Sequence, residues 1–155
     1  NLIPVTSAKE MYDAVMAFFP KTDIAVLSAA VADFRPEMVA EQKIKKNPDN
    51  DTFTIKLVKT EDILKSVGKI KSENQTVVGF ALETENGLEN AKKKLHTKNI
   101  DLIVLNEMNE SGVGFKTKTN KITIINKDDQ VTSFDLKQKN EVAVDILNAI
   151  YQYIN

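Results

Sequence analysis

Two sets of lysines in this sequence have the types and spacing to grip a small polyanion. Lys43, Ile44 and Lys45 alternate, so an extended backbone would send both ammonium groups to one side and Ile44 to the other. Lys94 and Lys98 stand one helical turn apart, close enough to face one ligand. A lysine is a mobile point charge, which suits phosphates whose geometry changes during transfer. Asp33 follows Ala29, Ala30, Val31 and Ala32, small residues that would let a ligand come close to the backbone. Gly79 interrupts the apolar run Val77–Ala81, and a strand glycine often marks close approach by a ligand or by backbone. Phe80 beside it offers an aromatic face on which a base can stack.

Each feature has a bland counterpart. Most lysine clusters are solvated loops or helix faces. An aspartate after a strand commonly caps a turn, and a strand phenylalanine is more often core than ligand platform. Glu83 and Glu85 share one side of a strand end and are candidates for supporting or metal-facing groups. His96 is the only histidine, so no pair of histidines can hold a metal, and Ser28 has no base near it in sequence.

The elements that must position these groups read as α/β. Ser7-Ala8-Lys9-Glu10 is a capping box, followed by Met11, Ala14, Val15 and Phe18 at helical spacing, and Pro20 ends that helix. Ile24 to Ala32 is an almost unbroken apolar run, expected to be a strand covered on both faces. Thr52 to Val58 alternates and predicts a strand with one wet face. Thr60 is the expected cap of a helix whose first turn holds Glu61 and Asp62 and whose inner face is Ile63, Leu64, Val67 and Ile70. Thr76–Ala81 and Leu102–Leu105 read as further buried strands, with a helix over Leu88–Lys98 between them. Ile122–Ile125 and Val131–Phe134 flank Asp128-Asp129 as a hairpin, and a last helix carries Val142, Ile146, Ala149 and Tyr153 on one side. Buried strands alternating with helices predict a Rossmann-like three-layer sandwich with a mostly parallel sheet, its ligand site at the carboxyl ends of the strands.

The 155 residues fit one domain, 42% hydrophobic and 28% charged. A net charge of −1 argues against a nucleic-acid partner, and local positive charge suits a small polyanion better than a polymer. There is no cysteine, hence no disulfide and no thiolate chemistry. No stretch approaches the roughly 20 apolar residues of a membrane span. The opening Asn1-Leu2-Ile3-Pro4 lacks the pattern of a secretory signal, so the expected location is cytoplasmic. With five glycines the chain has neither G-x-G-x-x-G nor a Walker A sequence. Phosphates are therefore bound another way, or the first strand and its glycine-rich loop lie outside this chain.

Taken in order, AAVADFRP from Ala29, KIKK from Lys43, LVKTEDIL from Leu57, VVGFALET from Val77, Lys94 with Lys98, DLIVLNE from Asp101 and GVGF from Gly112 resemble the phosphopantothenate–cysteine ligase family over nearly the whole chain. The resemblance implies CTP activation of the 4′-phosphopantothenate carboxylate, with release of pyrophosphate, an acyl-cytidylate, and displacement of CMP by the amine of cysteine. It implies Mg2+ with the nucleotide, no flavin on this chain, and a homodimer with the lysine-rich segment and Thr52–Val58 near the partner. It further implies Lys43 as the catalytic charge stabiliser. The nucleotide would lie against Ala29, Ala30, Asp33, Lys43, Glu61, Asp62, Ile63, Leu64, Phe80, Lys94 and Lys98, with no metal-ligating residue assigned. The family's glycine-rich amino-terminal part is missing, so residues 1–155 are expected to be the CTP-binding part of a longer synthetase. The alternatives are a non-catalytic nucleotide-binding or dimerisation module of the same fold, and a dinucleotide-dependent oxidoreductase, which the missing phosphate-binding glycines disfavour.

Overall fold

The computed structural model describes residues 1–45, 52–107 and 118–155. In chain order the strands are β1 (Ile24–Leu27), β2 (Phe34–Pro36), β3 (Leu57–Lys59), β4 (Thr76–Glu83), β5 (Leu102–Glu107), β6 (Thr119–Asn120), β7 (Ile122–Asn126), β8 (Val131–Ser133) and β9 (Lys137–Gln138). The helices are α1 (Ala8–Phe18), α2 (Ile63–Ile70), α3 (Gly87–Thr97) and α4 (Lys139–Ile154). The predicted capping box starts α1: the Ser7 side chain accepts from the Glu10 amide and the Glu10 carboxylate reaches back to the cap. Pro20 falls in a single 3-10 turn, Phe19–Lys21, that ends the helix.

The main sheet runs β1-β4-β5-β7-β8. β1, β4 and β5 are parallel, and β7 and β8 continue antiparallel, the predicted hairpin. Parallel neighbours need a crossover between them. α2 and α3 supply the packing after β1 and between β4 and β5, and α4 closes the chain. Because side chains alternate along a strand, β4 feeds two cores. Val77 and Ala81 point into one cluster with Val67, Ala91, Leu95 and Ile100. Val78 points into the other with Val104, Ile122, Ile124, Val142 and Ile146. Helices on both faces of a largely parallel sheet make the predicted three-layer α/β arrangement.

Three local expectations are corrected. The apolar run from Ile24 is a strand for four residues only and sits at the sheet's edge, so Ile24 and Val26 are 44% and 47% exposed instead of covered on both faces. In register Val26 lies beside Val78, on the face of the sheet that carries the Val78–Val142 cluster. The strand expected over Thr52–Val58 is regular only from Leu57 to Lys59, the stretch that pairs with β2. The cap of α2 is Asp62 rather than Thr60: the Asp62 carboxylate accepts from the Lys65 amide at 2.9 Å, while the Thr60 amide is spent on the Asp33 carbonyl, also at 2.9 Å.

Candidate functional site

The site residues are gathered by short connections at the carboxyl end of the sheet. After β1 the chain runs through exposed Ala29, Ala30 and Asp33 into β2, and the β2–β3 pairing returns it beside Asp33 through the Thr60 bond. This joins Asp33 directly to the segment Glu61–Leu64. Thr60 Oγ1, next to that junction, is buried and has no hydrogen-bond partner.

Asp62 then opens α2. Its position leaves the amides of Ile63 and Leu64 as first-turn donors with no partner inside the helix, a feature of every helix start. The Ile63 side chain is core, at 7% exposure, so only its backbone is free for a ligand. Leu64 packs over Gly79: a Cβ on that glycine would lie 2.6 Å from Leu64 Cδ2 and 2.8 Å from Ile100 Cδ1. The neighbours that come close at Gly79 are thus two side chains of the protein rather than the backbone that was expected.

Lys98 Nζ stands 3.0 Å from Asp62 Oδ2, tying the end of α3 to the start of α2. Burial alone would raise the Asp62 carboxyl, but the Lys65 amide and the Lys98 ammonium outweigh it and hold the group below its ordinary range. One turn earlier on α3, Lys94 Nζ lies 2.5 Å from Glu83 Oε1, at the last residue of β4. The other Glu83 oxygen accepts from Asn90 at 3.2 Å. Both lysines of the predicted pair therefore reach toward the sheet's carboxyl edge, and each is already matched to a carboxylate.

Two predicted residues stand apart from this set. Lys43 is exposed on the connection between β2 and β3. Phe80 is half-buried on the opposite face of β4, against the cluster that contains Val78 and Val104. Lys46 and the Gly112–Phe115 motif lie outside the described residues. Asn90 was not read from the sequence; it stands four positions before Lys94 on one helix, and that helical spacing was the available signal.

Among the described residues no group of three or more histidines, aspartates and glutamates could hold a metal. A cavity of about 450 Å3 between α4 and the β7–β8 hairpin, lined by Leu102, Phe134 and Tyr153 among others, contains none of the predicted site residues. Among the described residues no helix is long and apolar enough to cross a membrane.

Comparison with known proteins places the chain in a family. The DNA/pantothenate metabolism flavoprotein C-terminal domain family matches residues 1–154. A protein from an unknown prokaryotic organism named "Cysteine/Cysteine sulfinic acid decarboxylase" is 46% identical over 155 residues, 100% of this chain and 43% of its own length. The "Coenzyme A biosynthesis bifunctional protein CoaBC" of Vibrio cholerae is 41% identical over 152 residues, 98% of this chain and 38% of its own length. The chain therefore spans less than half the length of these relatives. The crystal structure of the C-terminal domain of a coenzyme A biosynthesis bifunctional protein CoaBC superposes with a TM-score of 0.75 at 37% identity, over 97% of this chain and 66% of that one. With its sequence matched end to end and its layered sheet shared, the chain belongs to the DNA/pantothenate metabolism flavoprotein C-terminal domain family.

Proposed function

We propose that this chain is the CTP-binding part of a phosphopantothenate–cysteine ligase acting in coenzyme A biosynthesis. The observation that carries the reading is the convergence of Lys94, Lys98 and the free first-turn amides of α2 at the carboxyl edge of the sheet. Helix starts and lysines are the two standard ways for a protein to receive phosphate. The name of the Vibrio cholerae relative supports the pathway.

In this reading a carboxylate oxygen of 4′-phosphopantothenate attacks the α-phosphorus of CTP and pyrophosphate leaves. The cysteine amine then attacks the acyl carbon, CMP leaves, and the amine nitrogen loses a proton to give the amide. Lys43 would face the charge that develops on the phosphates, an electrostatic contribution of the kind that often dominates such steps. Ala29, Ala30, Asp33 and Phe80 would bound the nucleoside. Mg2+ on the nucleotide would neutralise phosphate charge.

The exposed apolar side chains Phe34, Met38, Val39, Phe53, Ile55 and Leu57 on and around the β2–β3 pair support a homodimer through that arm. A cytoplasmic location goes with this pathway.

The relative named as a decarboxylase favours a second reading, in which the domain is a nucleotide-binding or dimerising scaffold without the ligase reaction. One assay separates them: pyrophosphate release from CTP by the full-length natural protein, with and without 4′-phosphopantothenate and cysteine. Release that depends on phosphopantothenate supports the ligase. No release under any combination would sink it in favour of the scaffold.

A further inference from the structure

Glu83 is an unusual residue to find at the end of a core strand. It continues the inward series Val77, Gly79, Ala81 on β4, so its carboxylate faces α3 and is only 14% exposed, whereas its partner Lys94 is 41% exposed. A mostly buried anion thus fixes an accessible cation. Stability does not explain the arrangement, because a partly exposed ion pair contributes about 0–1 kcal/mol while ordering a lysine costs rotamer entropy. The Asn90 amide holds the second oxygen, so the carboxylate has one orientation. Lys98 has its own carboxylate, Asp62, on a different element. The resting cluster is close to neutral although two ammonium groups are present.

We propose that Glu83 is the positioning residue for Lys94: it sets the ammonium at the strand edge and acts as the counter-charge that an incoming polyphosphate must displace. This rests on the nucleotide reading above. Two effects follow, with opposite signs. Removing the charge of Glu83 strengthens the pull of the site on a polyanion, and it also releases Lys94 from the one position in which it serves the reaction.

The test uses the full-length natural protein with inorganic triphosphate as the probe, its Kd read by calorimetry, alongside CTP turnover. Glu83→Gln should tighten triphosphate binding by about fivefold, the scale of one partly exposed charge pair, and lower kcat without raising KM for CTP. Glu83→Asp, which keeps the charge, should bring Kd back to within about twofold of the parent. Lys94→Gln should weaken triphosphate binding. If Glu83→Gln leaves Kd unchanged or weaker while Lys94→Gln weakens it, the positioning role is overturned and the nucleotide site stands. If Lys94→Gln has no effect on Kd, the nucleotide reading falls and the role of Glu83 falls with it.

Discussion

Lys71 Nζ and Asp101 Oδ1 are 2.5 Å apart and nearly sealed from water, their side chains 8% and 5% exposed. The other Asp101 oxygen accepts the Val77 amide at 2.8 Å, and Tyr153 of α4 reaches the pair from the far side of the sheet. One carboxylate thereby joins the end of α2, the starts of β4 and β5, and the last helix. It lies at the amino end of the strands, away from the carboxyl edge where Lys94 meets Glu83.

Removing one member of such a pair leaves a buried charge alone. Asp101→Ala should therefore destabilise the fold by about 3–5 kcal/mol, measured by urea unfolding of the natural protein. A loss under about 1 kcal/mol would mean that water reaches Lys71 freely. Nucleotide affinity of the folded fraction should not change.

Asp62 makes the start of α2 sensitive to acid. Its folded-state carboxyl lies below its unfolded value of about 3.9. The stabilisation is complete above that unfolded value and disappears as pH falls through the folded one. Asp62→Asn keeps a capping side chain but cannot titrate. The stability gap between parent and variant should be constant near neutral pH and close below about pH 4. A gap that persists unchanged to about pH 2 would contradict the ion pair with Lys98.

Gly79→Ala places a methyl against Leu64 and Ile100. The cost should be about 1–3 kcal/mol, since both neighbours are side-chain ends that can yield in part. Because Leu64 belongs to the first turn of α2, CTP binding should weaken alongside the melting temperature. Weaker stability with unaltered binding would separate Leu64 from the site.

Lys43 is exposed and buries little, so Lys43→Gln should lower turnover by about 100-fold with less than about 0.5 kcal/mol lost in stability. Turnover and melting temperature measured on the same full-length preparation check this. A melting temperature that falls in step with activity would make Lys43 a structural residue.

Much of the fold was readable because its signals are local. The Ser7–Glu10 box, the Asp128-Asp129 hairpin and the apolar runs of β4 and β5 each contain their own explanation within a few residues. The edge position of β1 was not readable: Ile24–Leu27 is as apolar as a central strand, and only its neighbours decide exposure. Thr60 and Asp62 are both good caps by type, and the helix start that selects Asp62 has no local signal that separates the two. The placing of Lys94 and Lys98 one turn apart at one helix end was visible from their spacing. The link from Lys94 to Glu83 was not, because it crosses from helix to strand over eleven positions, beyond any local periodicity.

The open flank of β1 bears on how the polypeptide behaves in the test tube. Among the described residues no strand pairs with the outer side of β1, beside half-exposed Ile24 and Val26, and such a flank recruits strands from other molecules. Residues 1–155 on their own should self-associate as concentration rises, seen as a growing mass in light scattering.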